Sequence, residues 1–414
     1  MDDRDRAYIS LFSGAGGMDI GLEMAGWRTA YATDNDPFAV ETLRKNAGIK
    51  IDRDRRAFEG THIEQADIRH LDADIILKRS GLAKGDIPLV SGGPPCQSWS
   101  SAGHQLGFSD PRGRLFDDFV RVANGLDARW LLLENVRGLL TARGPDGQPG
   151  SALTHIRLNL LRAGFQTTVA LLNSADFGVP QRRVRLFIIG FRAGDAPPFP
   201  LPSHSKVQGP DNLPRWLALG HAVASVASLH PGEIIRPTGK LAVELAEVAP
   251  GGGLKSPGKS ERTRPGGHWG YKQGAFVADL EQSARTVTAN AQQDWIRDPV
   301  LGLRRLCPRE CAAIQSFPGQ WVFRGNAAVQ YRLIGNAVPP LLAKAIGEAL
   351  LRHIHIEDVP SSPDLAEPLP LPSLLAYHVQ YTLKEEVSNG QSRREAPRRR
   401  NSRLAKAFVD VELA

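Results

Sequence analysis

Short apolar runs alternate with amphipathic stretches through the first 190 residues. The run Tyr8-Ile9-Ser10-Leu11-Phe12 predicts a strand, residues 17–26 a helix, Thr29 to Thr33 a second strand and residues 37–46 a second helix. Further strands are predicted at residues 88–90, 130–133, 167–172 and 184–189. Strands separated by helical segments make an α/β protein with a mainly parallel sheet wrapped by helices. In such sheets ligands bind beyond the carboxyl ends of the strands.

The pattern changes after Gly190. The run Pro197-Pro198-Phe199-Pro200-Leu201-Pro202 breaks it, and roughly the next 100 residues show little periodicity. A smaller irregular domain is therefore expected over 191–324. Helical spacing returns with the apolar positions from Leu341 to Ile354, so 325–355 is expected to return to the first domain, 1–190. Five prolines and four acids in 357–373 read as a linker, and 356–414 as linker plus a disordered tail.

Composition narrows the class. The 414 residues are 42% hydrophobic, as in a globular chain of two or more domains. No apolar run is long enough to span a bilayer, and Met1-Asp2-Asp3-Arg4-Asp5-Arg6 lacks a signal-peptide core, so a cytoplasmic protein with no membrane partner is expected. Three cysteines, Cys96, Cys307 and Cys311, build no disulfide framework, and the pair four apart has no partner pair at zinc spacing; no metal is expected. Most of the net charge of +7 sits between Arg393 and Lys406, where seven basic residues face one acid. Nucleic-acid contact must then come from local patches. A second patch, in 251–275, carries Lys255, Lys259, Arg262, Arg264 and Lys272 with Trp269 and Tyr271 between them. Cations mixed with aromatics fit nucleic-acid binding, and a solvated loop fits them nearly as well.

Chemistry concentrates at predicted strand ends. In Ser91-Gly92-Gly93-Pro94-Pro95-Cys96-Gln97 the prolines fix the backbone and the glycines permit close approach, which is how a nucleophilic thiol would be presented. A free cysteine is more often an inert buried hydrophobe. The turn Phe12-Ser13-Gly14-Ala15-Gly16-Gly17 precedes the first helix, and Asp34 stands about 20 residues on, where an acid can take ribose hydroxyls. Asp19 occupies the place of the third glycine of the dinucleotide fingerprint, which disfavours a nicotinamide enzyme and favours another nucleoside-bearing cofactor. Glu134, in Glu134-Asn135-Val136, would be partly desolvated at the mouth of an apolar strand and so able to donate a proton. Arg183 and Arg185 share one face of a strand and require anionic or carbonyl partners.

In their order these stretches resemble the DNA (cytosine-5)-methyltransferase family of prokaryotic restriction-modification type, over most of residues 7–350. Further matches are Asp110 to Phe116, Gln181 to Arg185, Arg309-Glu310-Cys311 with Gln315-Ser316-Phe317-Pro318, and Tyr331 to Val338. The resemblance implies a doubly wound sheet binding S-adenosylmethionine, with a target-recognition domain inserted before a C-terminal return helix. It implies Cys96 as the thiolate adding to cytosine C6, Glu134 as proton donor at N3, Arg185 as the ligand of the base O2, and Arg183 in support of the loop. By the same resemblance Phe12, Gly14 and Gly16 would line the methionine end of the cofactor and Asp34 would bind ribose. Asp67 would take the adenine amino group, Ile68, Pro95 and Leu115 would also line the site, and Asn336 would close it. The substrate would be double-stranded DNA with the target base flipped out. A monomer is expected, and a cognate restriction endonuclease is left open.

One departure stands out. Cys307 occupies the helix-start position where the family usually has Thr, and a thiol is the weaker cap, by about 1 kcal/mol. Two rivals remain at this point. A branch of the family methylates tRNA and usually carries a Cys-Phe-Thr tripeptide that this chain lacks. A catalytically silent binding module would need no nucleophile, yet Cys96, Glu134 and Arg185 are intact.

Overall fold

A computed structural model describes residues 6–95, 115–207, 212–226, 228–254, 274–354 and 367–383. The first half follows the predicted alternation. It runs β1 (Ala7–Leu11), α1 (Gly17–Ala25), β2 (Arg28–Asp34), α2 (Pro37–Asn46), β3 (His62–Gln65), α3 (Ala73–Ser80), β4 (Leu89–Gly92), α4 (Leu115–Gly125), β5 (Trp130–Val136), α5 (Ser151–Arg162), β6 (Gln166–Asn173) and β7 (Val184–Phe191). These strands form one sheet in the order β3-β2-β1-β4-β5-β7-β6, parallel except for β7, which is antiparallel to both neighbours. All five residues of β1 are buried, as the continuous apolar run of a sheet covered on both faces requires. The chain reverses its direction of winding between β1 and β4, and a crevice opens beyond the carboxyl ends of those two strands.

The second half begins with α6 (Leu219–Ser225) and α7 (Gly239–Ala246). A small sheet follows, made of β8 (Gly252–Gly253), β9 (Phe276–Ala278), β10 (Trp295–Asp298) and β11 (Gly302–Arg305), in the order β11-β10-β9-β8. Then come α8 (Pro308–Ile314), α9 (Ala327–Asn336) and α10 (Pro340–Ile354). One apolar cluster joins Ala15, Ile20 and Ala32 of the first half to Phe276, Ile296 and Ile334 of the second, so the small sheet and the large one share a core.

The return helix α10 lies against α1, and glycine sets the distance. A Cβ at Gly21 would stand 2.2 Å from the Pro340 carbonyl oxygen, and one at Gly17 2.3 Å from that of Val338. Nearby, the Trp27 indole donates to Gly347 O at 3.0 Å.

Two features differ from the sequence expectation. The edge strand β3 and helix α3 carry too few apolar positions to be read from periodicity; in β3 no residue is buried. The stretch read as linker and disordered tail contains an ordered piece: residues 373–383 form a further helix, α11, with Leu375 only 4% exposed in the main core. Leu375, with half-buried Val379 one turn on, anchors the helix despite the prolines that precede it. The basic residues from Arg393 to Lys406 lie outside the described residues. Among the described residues no helix is long and apolar enough to cross a membrane.

Candidate active site

The site grows from three strand ends. At β5 the chain turns polar with Glu134, and in the antiparallel register Val136 stands opposite Arg185 of β7. This brings Arg185 Nε to 3.1 Å from Glu134 Oε1, with both side chains largely shielded from solvent. Burial raises the Glu134 carboxyl above its usual range, and the guanidiniums of Arg185 and Arg183 oppose that rise. The carboxyl is thereby fitted to hold a proton closer to neutral pH than an exposed glutamate would.

The end of β4 is pinned to the same place. Asn135 Nδ2 donates to Pro94 O at 3.3 Å, and a Cβ at Gly93 would come within 3.2 Å of Glu134 Oε2. The loop therefore passes directly over the carboxylate, which a larger residue at 93 would obstruct. Pro95 ends this described stretch; Cys96, the expected nucleophile, is the next residue and lies outside the described residues. The other two thiols are buried: the Cys307 pKa is pushed up to about 12 by burial, and that of Cys311 is also raised, chiefly by burial.

Arg183 is placed differently from Arg185. It is 1% exposed and donates to Val287 O at 3.1 Å and to Gly335 O at 2.8 Å. Gln181, two residues earlier, donates through Nε2 to Gln315 Oε1 at 2.7 Å, while its Oε1 accepts from Val287 N at 2.8 Å. Gln315 in turn donates to Ile334 O at 2.7 Å. These side chains tie the start of β7 to α9 and to the chain returning from the small sheet. Gln315 lies in a stretch matched from sequence but received no role there, because its partners, the Gln181 side chain and the Ile334 carbonyl, meet it only in the folded chain.

A cavity at the ends of β1 and β2 is lined by Leu11, Phe12, Thr33, Asp34, Asn35, Ala66, Asp67, Ile68 and Leu115. Five expected cofactor residues, Phe12, Asp34, Asp67, Ile68 and Leu115, thus meet in one place. Phe12 and Gly14 both have positive φ, and a Cβ at Gly14 would face open space. Gly14 N donates to Asp34 Oδ2 at 2.8 Å and Asp36 N to Asp34 Oδ1 at 2.9 Å, which fixes the carboxylate while each oxygen keeps acceptor capacity. Gly16 does not line the cavity; its φ is +81° and a Cβ there would stand 2.8 Å from Leu43, so its role is packing. Pro95 and Asn336 also lie outside this lining, Asn336 exposed at the end of α9. Apolar walls beside a fixed carboxylate are the chemistry expected of a nucleoside site, with apolar surface for a base and acceptor oxygens for hydroxyls. Leu11, Thr33, Asn35 and Ala66 were not singled out from sequence, since strand-end residues beside a motif carry no signal of their own. The expected DNA-contact residues Lys255, Lys259, Arg262, Arg264, Trp269, Tyr271 and Lys272 lie outside the described residues.

The sequence profile of C-5 cytosine-specific DNA methylases matches residues 7–352. The chain belongs to that family. This methylase is 32% identical over 356 residues to Type II methyltransferase M1.HphI of Haemophilus parahaemolyticus, covering 83% of this chain and 86% of that one. It is 31% identical over 372 residues to M.FnuDI of Fusobacterium nucleatum, covering 83% and 94%. Its fold is similar to that of Entamoeba histolytica methyltransferase EhMeth, with a TM-score of 0.58, 13% identity and 84% and 98% of the two chains covered. Spodoptera frugiperda DNMT2 is similar with a TM-score of 0.57, 19% identity and 85% and 100% covered. The enzyme is a DNA cytosine-5 methyltransferase and its methyl donor is S-adenosylmethionine.

Proposed function

We propose that this methylase acts on a cytosine flipped out of a specific duplex sequence, through a covalent bond from Cys96 to C6. The observation that carries this reading is the Glu134–Arg185 pair, held by Asn135 against the Pro94-Pro95 turn that leads into Cys96. Cytosine C5 is a poor nucleophile. Addition of the Cys96 thiolate at C6, with the Glu134 proton moving to N3, moves the ring electrons into an enamine whose C5 can attack a methyl group. Arg185 donates to the base O2 as charge builds there, and it keeps Glu134 oriented. S-adenosylmethionine, when bound, supplies an electrophilic methyl group. Loss of the C5 proton to a base or water then expels Cys96, and return of the N3 proton to Glu134 restores the neutral ring. Arg183 and Gln181 hold the frame in which β7 presents Arg185.

Flipping is required because C6 is out of reach inside a stacked duplex, and it costs about a few kcal/mol, offset by pocket contacts. Recognition is assigned to 191–285, with the cations and aromatics of 255–272 on the DNA. The Type II names of the relatives favour a cognate endonuclease acting on the same site. The same reading has the enzyme act as a monomer on DNA in a bacterial cytoplasm.

The test uses a duplex carrying 5-fluorocytosine at the methylated position, with S-adenosylmethionine present. Fluorine cannot leave as the proton does, so a denaturation-resistant complex accumulates with the native enzyme and with Cys307→Ala, and not with Cys96→Ala. The same complex in Cys96→Ala would overturn the assignment.

A further inference from the structure

Residues 367–383 are held to the catalytic sheet by buried polar groups. Gln166, 2% exposed at the start of the edge strand β6, donates through Nε2 to Glu367 O at 2.8 Å and accepts at Oε1 from Leu369 N at 3.0 Å. The buried Arg157 of α5 donates to Leu369 O and, through Nε, to Thr167 Oγ1 at 2.9 Å. Without the segment both side chains would lose buried partners.

Helix α11 then climbs toward the active-site end of the sheet. Leu375 packs in the cluster that contains Leu139, Leu140 and Ile156. Farther on, Val379 lies over Gly150: a Cβ there would be 2.6 Å from Val379 Cγ1 and 3.4 Å from Leu140 O. Gly150 has φ +81° and its N–H donates to Ala142 O at 3.0 Å. Gly150 thus joins α11 to the short 3-10 turn Arg137–Thr141, which follows Glu134-Asn135-Val136 without an intervening residue. In the register of β6 with β7, Gln166 stands at the Phe191 end and Asn173 at the Val184 end, so the segment runs the full height of the sheet and finishes beside the turn that closes the site.

We propose that residues 367–383 are a positioning strap: docked on β6, α5 and the 137–141 turn, they hold the Glu134–Arg185 end of β5 in its working geometry. The strap touches neither base nor donor. It acts through the turn, and the inference rests on the assignment of Glu134 as proton donor. A displacement of about 1 Å at a reacting group can cost about 100-fold in rate, so loss of this support is expected to appear in kcat.

The experiment compares full-length enzyme with chains ending at Leu383 and at Ala366, and with Leu375→Asp, Leu375→Met and Val379→Ala, at saturating duplex DNA. The chain ending at Leu383 keeps its kcat. The chain ending at Ala366 and Leu375→Asp lose about tenfold or more in kcat while KM for S-adenosylmethionine stays within about twofold, and Leu375→Met restores the rate. In the Ala366 chain the amides of 134–142 exchange faster than those of β1. Should the shortened chain fail to fold, Val379→Ala decides, with a two- to threefold loss in kcat at an unchanged melting temperature as the expected result by the same argument. Equal kcat in the strapped and strapless chains overturns the strap, as does a kcat and KM that change together with the folded fraction. If Glu134→Gln leaves kcat intact, the proton-donor reading falls instead, and exchange at 134–142 still reports whether the strap holds the turn.

Discussion

Glu134 is an ordinary acid made unusual by its neighbours. Burial raises its pKa and Arg185 limits the rise, which suits the carboxyl to the proposed delivery of a proton to N3. Glu134→Gln keeps the shape and removes the acid, and kcat is expected to fall by about 100- to 10,000-fold with S-adenosylmethionine affinity unchanged in an equilibrium titration. An unaltered kcat would remove the residue from the mechanism. Behind the cofactor cavity lies a second buried acid set. Tyr8 donates to Asp19 at 3.0 Å, Thr29 donates to Glu23 at 2.7 Å, and Phe58 N donates to Glu23 Oε2 at 3.0 Å. Burial raises Asp19 from 3.8 to about 6 and Glu23 from 4.5 to about 8. The folded protein therefore holds protons that the unfolded chain releases. Their stabilising contribution is complete below the unfolded values and is lost as pH rises through about 6 and then about 8. Thermal melting should fall across that window and fall less in Glu23→Gln; a melting temperature that climbs from pH 6 to 9 contradicts this account.

At the scale of elements, helix α8 shows a weak start compensated from outside. Cys307 caps it with a thiol, while its own N–H donates to Glu310 Oε2 at 2.9 Å. Glu310 also accepts from Arg304, which is buried and binds Asp298 as well, so the helix start is locked to β10 and β11. Cys307→Thr supplies the better acceptor at nearly constant volume, and chemical denaturation should show a gain of about 1 kcal/mol with kcat unaffected. A loss of stability would mean that the hydroxyl finds no partner in that buried position. Elements also divide into those that periodicity reveals and those it hides. Strands β1, β2 and β5 are apolar runs buried on both faces, and helix α10 repeats leucine and isoleucine at helical spacing, so all were legible. Strand β3 sits at an edge with polar residues, and α11 follows five prolines, so neither carried a pattern strong enough to read. The same holds within the site. Phe12, Asp34, Glu134 and Arg185 take expected roles from sequence, whereas Gln315 and Gln166 act through bonds to distant groups that only the folded chain brings near.

For the whole molecule, charge is distributed unevenly. Seven cations between Arg393 and Lys406 follow the strap after nine residues. These cations are expected to meet DNA phosphates outside the recognised sequence. Each phosphate neutralised adds roughly −0.9 to the slope of log affinity against log salt, so partial contact gives about −2 to −3. A chain ending at Leu383 should bind random duplex more weakly at low salt, with a slope flatter by about two, and methylate the same sequence. Identical slopes for the two proteins would confine the DNA grip to the residues before the tail.

The seam between α1 and α10 has a further consequence, for the birth of the protein. Trp27 donates to a carbonyl 320 residues later in the chain, and the groove over Gly17 and Gly21 is filled by Phe317 and by residues from Ala337 to Lys344. A ribosome adding about 5–20 residues per second needs roughly 16 s to a minute to make that stretch. Throughout that interval the nascent first half carries an unfilled apolar groove, so the fold closes only once the return helix has been made.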